Sequence, residues 1–177
     1  MYTYAVPQVD RVSFVSLVQT DVLHAEVVHT SQLRARVEQC LHSREPLAIV
    51  QAVSEYLPYL LGLYDCVLRD TILLRDDVHL TWRSMLVSSK FRLHGLLSEV
   101  CLMHMLYASS LRAEAATIVE ALGAYELGAH DRKACDDRLR VAIDLLCRAS
   151  GVCEYVATQL LPTYPAPPSK SAYPPEP

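Results

Sequence analysis

The feature that most constrains the fold is a long run of apolar residues at helical spacing in the middle of the chain. Between Leu93 and Leu122 an apolar residue returns every three or four positions, which is the period of one face of an α-helix. The members of this stripe are Leu93, Leu96, Leu97, Val100, Met103, Tyr107, Leu111, Ile118 and Leu122. The pattern predicts a helix of about thirty residues.

A second stripe predicts another long helix, from about Lys133 to Leu161. Gly123, Gly128 and Asp131 interrupt the chain between the two stripes. The second stripe is close to a heptad repeat, and such stripes pack against an antiparallel neighbour. Its members are Leu139, Ala142, Ile143, Leu146, Ala149, Val152, Cys153, Val156 and Leu160. We therefore expect the two long helices to pack together.

A shorter helix is predicted near the N-terminus. Thr20 or Asp21 is suited to cap it, and it should end at about Ser43. It is moderately amphipathic, because one side is polar and the other carries an apolar row. That row consists of Val27, Leu33, Val37 and Leu41.

The next predicted helix begins at Pro46 and runs to about Leu74. Proline favours the first helical position, where its missing N–H would have been unpaired anyway. Pro58 lies inside this helix and removes one backbone hydrogen bond, so we expect a kink or a split there. The apolar stripe continues through that point as Ile49, Val53, Tyr56, Leu60, Leu63 and Val67.

A small β-sheet is predicted beside these helices. The stretch from Ala5 to Val18 is rich in β-branched and aromatic residues, which favours one or two short strands. Val78 to Arg83 alternates apolar and polar residues around Trp82, and predicts a short strand that pairs with the N-terminal one. Ser84 to Phe91 is expected to form a loop with a helical turn.

Length and charge narrow the class of protein. A chain of 177 residues is long enough for one domain with its own core. The predicted fold class is mainly α, an elongated helical domain with long antiparallel amphipathic helices and a small N-terminal sheet. The net charge of -4 disfavours nucleic-acid binding, which requires a basic face. In the most basic segment, acidic residues are interleaved with basic ones, which predicts a mixed solvated surface. The bases are Arg132, Lys133, Arg138 and Arg140, and the acids are Asp131, Asp136 and Asp137.

No secretory signal is expected, since Asp10 and Arg11 follow an N-terminus without a basic region. Leu93 to Leu111 is the most apolar stretch, but Glu99 interrupts it, so it is expected to be a buried helix. These features predict a cytoplasmic protein. Its cysteines lack CxxC spacing and are expected to be reduced and mostly buried. They are Cys40, Cys66, Cys101, Cys135, Cys147 and Cys153.

The search for chemistry yields little. Cys101 and His104 are the nearest approach to a metal site, yet on an apolar stripe a packed thiol and a hydrogen-bonded histidine are the better interpretation. No nucleophile elbow or phosphate-binding glycine loop occurs. We therefore predict no catalytic residue, no metal site, no cofactor and no enzymatic activity.

Composition changes abruptly after Leu161, and Pro162 to Pro177 is proline-rich. The domain is therefore predicted to span residues 1–161, with a tail or linker at 162–177. Tyr164 to Pro168 has the composition of an SH3 or WW ligand, because a preformed polyproline helix binds at low entropic cost. A solvated linker is the alternative interpretation of the tail. The ligand hypothesis makes the chain a generic helical interaction module.

Several short motifs occur in a definite order on the predicted elements. A strand ends in Thr81-Trp82, a helix carries the segment from Tyr107 to Ala116, and a partner helix carries Ala149-Ser150-Gly151 followed by Val152. From Pro46 to Pro162 this order resembles the BRO-one domain, the endosomal-targeting module of Alix-like proteins, in its plant-type single-domain form. Within such helices, small residues permit the close approach of a neighbour.

The resemblance implies a non-enzymatic adaptor of endosomal sorting. Members of that family bind the C-terminal helix of an ESCRT-III core subunit in a hydrophobic groove and associate peripherally with endosomes. Their groove is built on helices that follow the matched region, so the resemblance covers the N-terminal part of the domain and assigns no binding residue here. It also predicts uncovered apolar helix faces, and with them self-association.

Overall fold

The computed structural model describes residues 8–9, 12–19, 23–74, 79–83, 90–123 and 132–164. Within these ranges the long elements are helices, joined by a small sheet, so the predicted mainly α class is confirmed. The elements are, in chain order, β1 (Gln8–Val9), α1 (His24–Ser43), α2 (Pro46–Leu68), β2 (His79–Arg83), β3 (Lys90–His94), α3 (Leu96–Gly123) and α4 (Arg132–Tyr155).

The sheet has the order β1-β2-β3, and both pairs of strands are antiparallel. Trp82 lies opposite Val9 on one side and Phe91 on the other. The predicted pairing of the second strand with the N-terminal one is confirmed. The loop predicted for Lys90 and Phe91 is wrong, because these residues form the start of β3 through their pairing with β2. The rest of that predicted loop, residues 84–89, lies outside the described residues.

The N-terminal segment is only partly extended. Phe14–Ser16 forms a 3₁₀ turn, where the sequence favoured strand, and Val18 makes an isolated antiparallel bridge with Leu74. The backbone N–H of Phe14 donates to Ser31 Oγ over 3.0 Å, and the Phe14 ring is fully buried. Burial of this ring against α1 overrides the local β propensity.

α1 begins at His24, after Leu23 in the left-handed region at φ 62°. The predicted caps Thr20 and Asp21 lie outside the described residues. The helix ends at Ser43, as predicted, because Arg44 also adopts a left-handed conformation at φ 58°. The chain then turns into α2.

α2 ends at Leu68, six residues before the predicted end. Asp70 adopts φ 53°, and Thr71 donates its backbone N–H to the Cys66 carbonyl over 2.9 Å. Aspartate tolerates the left-handed region better than most residues, so this turn terminates the helix. The predicted split at Pro58 is wrong, since the helix continues through that exposed residue.

The two long helices follow the sheet. α3 begins at Leu96, after Gly95 turns the chain at φ 79°, a conformation that glycine adopts without strain. Leu93, expected in the helix, belongs to β3. α4 continues through a π-helical turn at Val156–Leu160 and a 3₁₀ turn at Leu161–Thr163. The two helices pack against each other, which confirms the predicted pair.

The core consists of two clusters. The larger, which we call the main core, joins the 3₁₀ turn, α1, α2, β2, the first half of α3 and the π-helical turn. The smaller joins α2, α3 and α4 through Val50, Ala108, Leu111 and Ala149. α3 therefore belongs to both clusters and connects them.

Among the described helices, α2 is long and apolar enough to cross a membrane by length and composition. In the fold it packs against α1 and α3. Ile49, Val53, Tyr56 and Leu60 are fully buried in the main core. This burial is typical of the central helix of a helical domain.

Candidate interaction surfaces

A buried ion pair lies at the centre of the main core. Arg34 Nε of α1 lies 2.9 Å from Glu99 Oε1 of α3, and the two side chains are 1% and 0% exposed. The second carboxylate oxygen, Glu99 Oε2, accepts a hydrogen bond of 3.2 Å from Trp82 Nε1 of β2. One carboxylate thus links two helices and the sheet.

Tyr56 of α2 completes this cluster. Its side chain is fully buried, and its hydroxyl has no hydrogen-bond partner within the described residues. Burial raises the pKa of Tyr56 well above its usual value, and the charge of Glu99 raises it further while Arg34 opposes the rise. The core thus holds a polar cluster, which consists of Arg34, Tyr56, Trp82 and Glu99. Its two charges depend on each other, because a buried charge is tolerated only with a partner.

Sequence reasoning missed this cluster. Arg34 and Glu99 are 65 residues apart, and no local motif joins them. A signal was nevertheless present, because Arg34 falls on the same helical row as Val27, Val37 and Leu41, all of which are buried. A charged residue within an apolar row predicts a buried partner of opposite charge.

His104 and Tyr155 lie where α3 meets the end of α4. Their ring centroids are 5.3 Å apart, and His104 Nδ1 lies 2.7 Å from the Val100 carbonyl oxygen, to which it donates. Burial lowers the pKa of His104, and the hydrogen bond to Val100 opposes that effect. Nearby, Arg148 Nη2 donates to Tyr107 Oη over 2.6 Å. These contacts connect the two long helices along one side.

The pair Cys101 and His104 is not arranged for metal chemistry. Burial raises the pKa of the Cys101 thiol, which disfavours the thiolate that binds a metal. One imidazole nitrogen of His104 already donates to a backbone carbonyl. Across the described part of the chain, no group of three or more His, Cys, Asp or Glu side chains is arranged to hold a metal ion.

An apolar cleft of about 210 Å³ lies between the first turns of α1 and the second half of α2. Its lining includes Tyr59 and Gly62 of α2, Val27 of α1, Leu23 just before α1, and Ile72. The His29 ring packs edge-on against Tyr59, with centroids 4.7 Å apart. The cleft has the lining expected of a site for an apolar side chain.

α4 carries two parallel heptad rows, and only one of them is covered. The covered row faces α3 and α2 with small and medium residues: Ala142, Leu145, Ala149, Val152 and Val156 are buried or half-buried. The other row is exposed along its length, and we call it the open face; its members are Leu139, Ile143, Leu146, Ser150 and Cys153. The prediction that Leu139, Ile143, Leu146 and Cys153 pack against the neighbouring helix is therefore wrong.

The physical reason for this error is helix geometry. A stripe that combines two adjacent heptad rows is wider than one neighbouring helix can cover. Alanine at 142 and 149 lets α4 approach α3 closely, and the larger residues then lie to the side. Gly151 plays no part in that approach, since it is exposed and a side chain there would contact nothing within 4 Å.

Other predicted surface features have different outcomes. The segment around Asp136 and Arg138 is exposed and mixed in charge, as predicted, and Arg140 pairs with Asp137 over 3.5 Å. The cysteines are free, but the expectation that most are buried is wrong. Cys101 is buried, Cys147 and Cys153 are exposed, and Cys40, Cys66 and Cys135 are half-buried.

The start of the proline-rich tail contacts the domain. Ser98 Oγ donates to the His94 carbonyl over 2.6 Å and is also hydrogen-bonded to Tyr164 Oη. The first aromatic residue of the predicted SH3 or WW ligand is therefore held against the start of α3. Residues 165–177 lie outside the described residues, so the choice between ligand and linker stays a prediction.

The chain is similar to the pH-response regulator protein palC of Cryptococcus neoformans var. neoformans serotype D (strain B-3501A). The two sequences are 29% identical over 181 aligned residues, which cover 88% of this chain and 37% of that protein. The chain therefore spans a little over a third of the relative's length. No family model matches the chain, and no solved structure gives a significant match.

Proposed function

We propose that this chain is a helical adaptor segment acting in a pH-response pathway, not an enzyme. The observation that carries the proposal is the similarity to palC over 88% of the chain. That relative is named as a regulator, and the similarity covers most of this chain. We further propose that the segment is the N-terminal part of a BRO-one-like domain.

The positions of the family-like motifs support this second step. Thr81 and Trp82 lie in β2, Tyr107 lies in α3 and Ala149 lies in α4, in the order that the resemblance requires. Trp82 and Ala149 are buried, so each motif takes part in packing between elements. These residues therefore contribute to the shape of the domain, and a partner would be bound by the surfaces that this shape presents.

The proposed mechanism is recognition of a partner helix on a rigid platform. The ion pair between Arg34 and Glu99 ties α1 to α3, so the helices beside it are held in fixed positions. Apolar clefts on a helical domain receive the apolar side of an amphipathic helix. We propose the C-terminal helix of an ESCRT-III subunit as the partner, bound in the cytoplasm at the surface of endosomes, with the help of helices beyond this segment.

A chimera tests the pH-response role. In a Cryptococcus strain lacking palC, the aligned part of palC is replaced by this chain, and growth is measured across a range of external pH. We expect the chimera to restore growth as intact palC does. The matched control carries Glu99→Gln, which disrupts the core and should fail. A stably expressed chimera that fails as completely as the control would refute the proposal.

Calorimetry tests the partner. The same chimera, purified, is titrated with a peptide of the ESCRT-III C-terminal helix, and a peptide of scrambled sequence serves as the control. We expect saturable binding of the native peptide alone. If the chimera supports growth but binds neither peptide, the adaptor role stands and the proposed partner is wrong.

A further inference from the structure

We propose that the open face of α4 pairs with the same face of a second copy of this chain, with the two helices antiparallel. This inference goes beyond the adaptor function and does not depend on it. It rests on three features of α4: exposed apolar residues at heptad spacing, a division of large and small residues along the helix, and complementary charges beside them.

The apolar residues of the open face are exposed although they are large. Leu139, Ile143 and Leu146 are 41%, 59% and 45% exposed. With Ser150 and Cys153 they are spaced alternately by four and three residues, which is the spacing of the seam between two paired helices. Burying this row removes apolar surface from water and favours association.

The distribution of side-chain size selects an antiparallel partner. The first half of the open face holds the large residues Leu139, Ile143 and Leu146, and the second half holds the small residues Ser150 and Cys153. In an antiparallel pair centred near Leu146, large residues of one copy lie against small residues of the other at both ends. A parallel pair would place large against large and leave the small residues apart.

The charges beside the open face select the same arrangement. Arg140 and Glu154 lie on one row of the helix surface, each seven residues from Cys147. In an antiparallel pair centred at Cys147, Arg140 of each copy lies opposite Glu154 of the other. In a parallel pair this row would lie on opposite sides of the seam in the two copies, so Arg140 would not meet Glu154. The contact of Arg140 with Asp137 does not prevent this, because exposed pairs of that kind are weak.

The symmetry of the pair follows from these contacts. The same surface is used by both copies, so the pair closes as a two-fold dimer and does not extend into a fibre. The row beside the open face carries the acids Asp136 and Glu154 as well as Arg140, so it is not the basic surface that an anionic lipid membrane attracts. A second copy therefore fits this face better than a membrane does.

Sedimentation velocity over a roughly hundredfold range of concentration tests the pairing. We expect the chain to pass from monomer to dimer and Leu146→Glu to remain monomeric throughout. The matched control is Val141→Glu, which changes a residue 52% exposed on another side of α4 and should dimerise as the parent does. Circular dichroism checks that both variants are folded. A parent that stays monomeric, or a Leu146→Glu variant that still dimerises, would overturn the proposal.

A charge exchange tests the antiparallel arrangement separately. Arg140→Glu and Glu154→Arg should each weaken the dimer roughly threefold to tenfold, and the double variant should recover the parent value, because the opposite charges are then restored. The short bis-maleimide crosslinker bismaleimidoethane should join Cys147 to Cys147 in the dimer, and Cys147→Ser should remove the product. A double variant weaker than both single ones, or a dimer without the Cys147 crosslink, would refute this arrangement.

Discussion

The main core and the open face of α4 differ in how far their apolar side chains are buried. In the main core, four elements converge on one carboxylate, and even the charged side chain of Arg34 is 1% exposed. On α4, leucine and isoleucine residues lie exposed beside a covered row of alanines. The difference teaches that burial depends on how many neighbours surround a helix. α1, α2 and the sheet lie around the first half of α3, whereas α4, among the described elements, packs chiefly against α3.

This contrast suggests a division of roles. The main core fixes the positions of the helices through a polar cluster that tolerates little change. The open face costs the fold little when it is altered, because its side chains have few contacts to lose. Stability should therefore depend on the first region and association on the second.

The largest expected effect comes from breaking the buried ion pair. Glu99→Gln removes the charge that compensates Arg34, and we expect a loss of about 3–5 kcal/mol in the free energy of unfolding. The control Asp137→Asn breaks the exposed pair with Arg140 and should cost no more than about 1 kcal/mol. Urea denaturation followed by circular dichroism measures both. Equal losses in the two variants would contradict the contrast between the regions.

Truncating a leucine should give a similar contrast without any change in charge. Leu111 is fully buried where α2, α3 and α4 meet, so Leu111→Ala should cost about 2–5 kcal/mol through lost contacts and a cavity. Leu139→Ala on the open face should cost less than about 0.5 kcal/mol. The comparison is made by denaturation below the concentration at which the chain associates. A Leu139→Ala loss as large as that of Leu111→Ala would show that the open face is covered within one copy.

The contact between α3 and the end of α4 should make stability depend on pH through His104. Its pKa is lowered in the fold, so the unfolded chain binds the proton more readily once the pH falls below the ordinary value of 6.5. Above that pH the imidazole is neutral in both states, and its packing contributes fully to the free energy of unfolding. As the pH falls through and below that value, protonation of the unfolded chain lowers the free energy of unfolding. His104→Gln should flatten that part of the profile. Unfolding free energies measured at a series of pH values would reveal an unchanged slope if the prediction is wrong.

The smallest expected effect concerns Tyr56, whose hydroxyl is buried without a hydrogen-bond partner in the described part of the chain. Tyr56→Phe removes a desolvated polar group and keeps the ring, so stability should stay the same or rise by up to about 1 kcal/mol. Tyr56→Ala serves as the control for the ring and should be strongly destabilising. A loss above about 1 kcal/mol in Tyr56→Phe would indicate that the hydroxyl has a partner.

Much of the fold was predictable from local pattern. The start of α2 at Pro46, the end of α1 at Ser43 and the start of α3 after Gly95 lie within a few residues of the predicted boundaries. The end of α2 was missed because Asp70 gives a weaker signal than glycine does. β3 was missed because its strand character comes from pairing with Trp82 and its neighbours, and pairing is not a local property.

The candidate surfaces were less predictable. The cleft forms only when α1 crosses α2 near Tyr59, and the polar cluster only when residues far apart in sequence meet. Neither has a spacing that a single helix could display. The family-like order of motifs, by contrast, is read directly along the chain.

The sequence by itself determined that two long amphipathic helices exist here and that both rows of α4 are apolar, because periodicity depends on the chain alone. Only the tertiary structure decided which row is covered. Ala142 and Ala149 allow the close approach of α3, so the smaller side chains are buried and the larger ones remain open. Burial depends on what neighbours are present and how near they come, and a single helix cannot specify either.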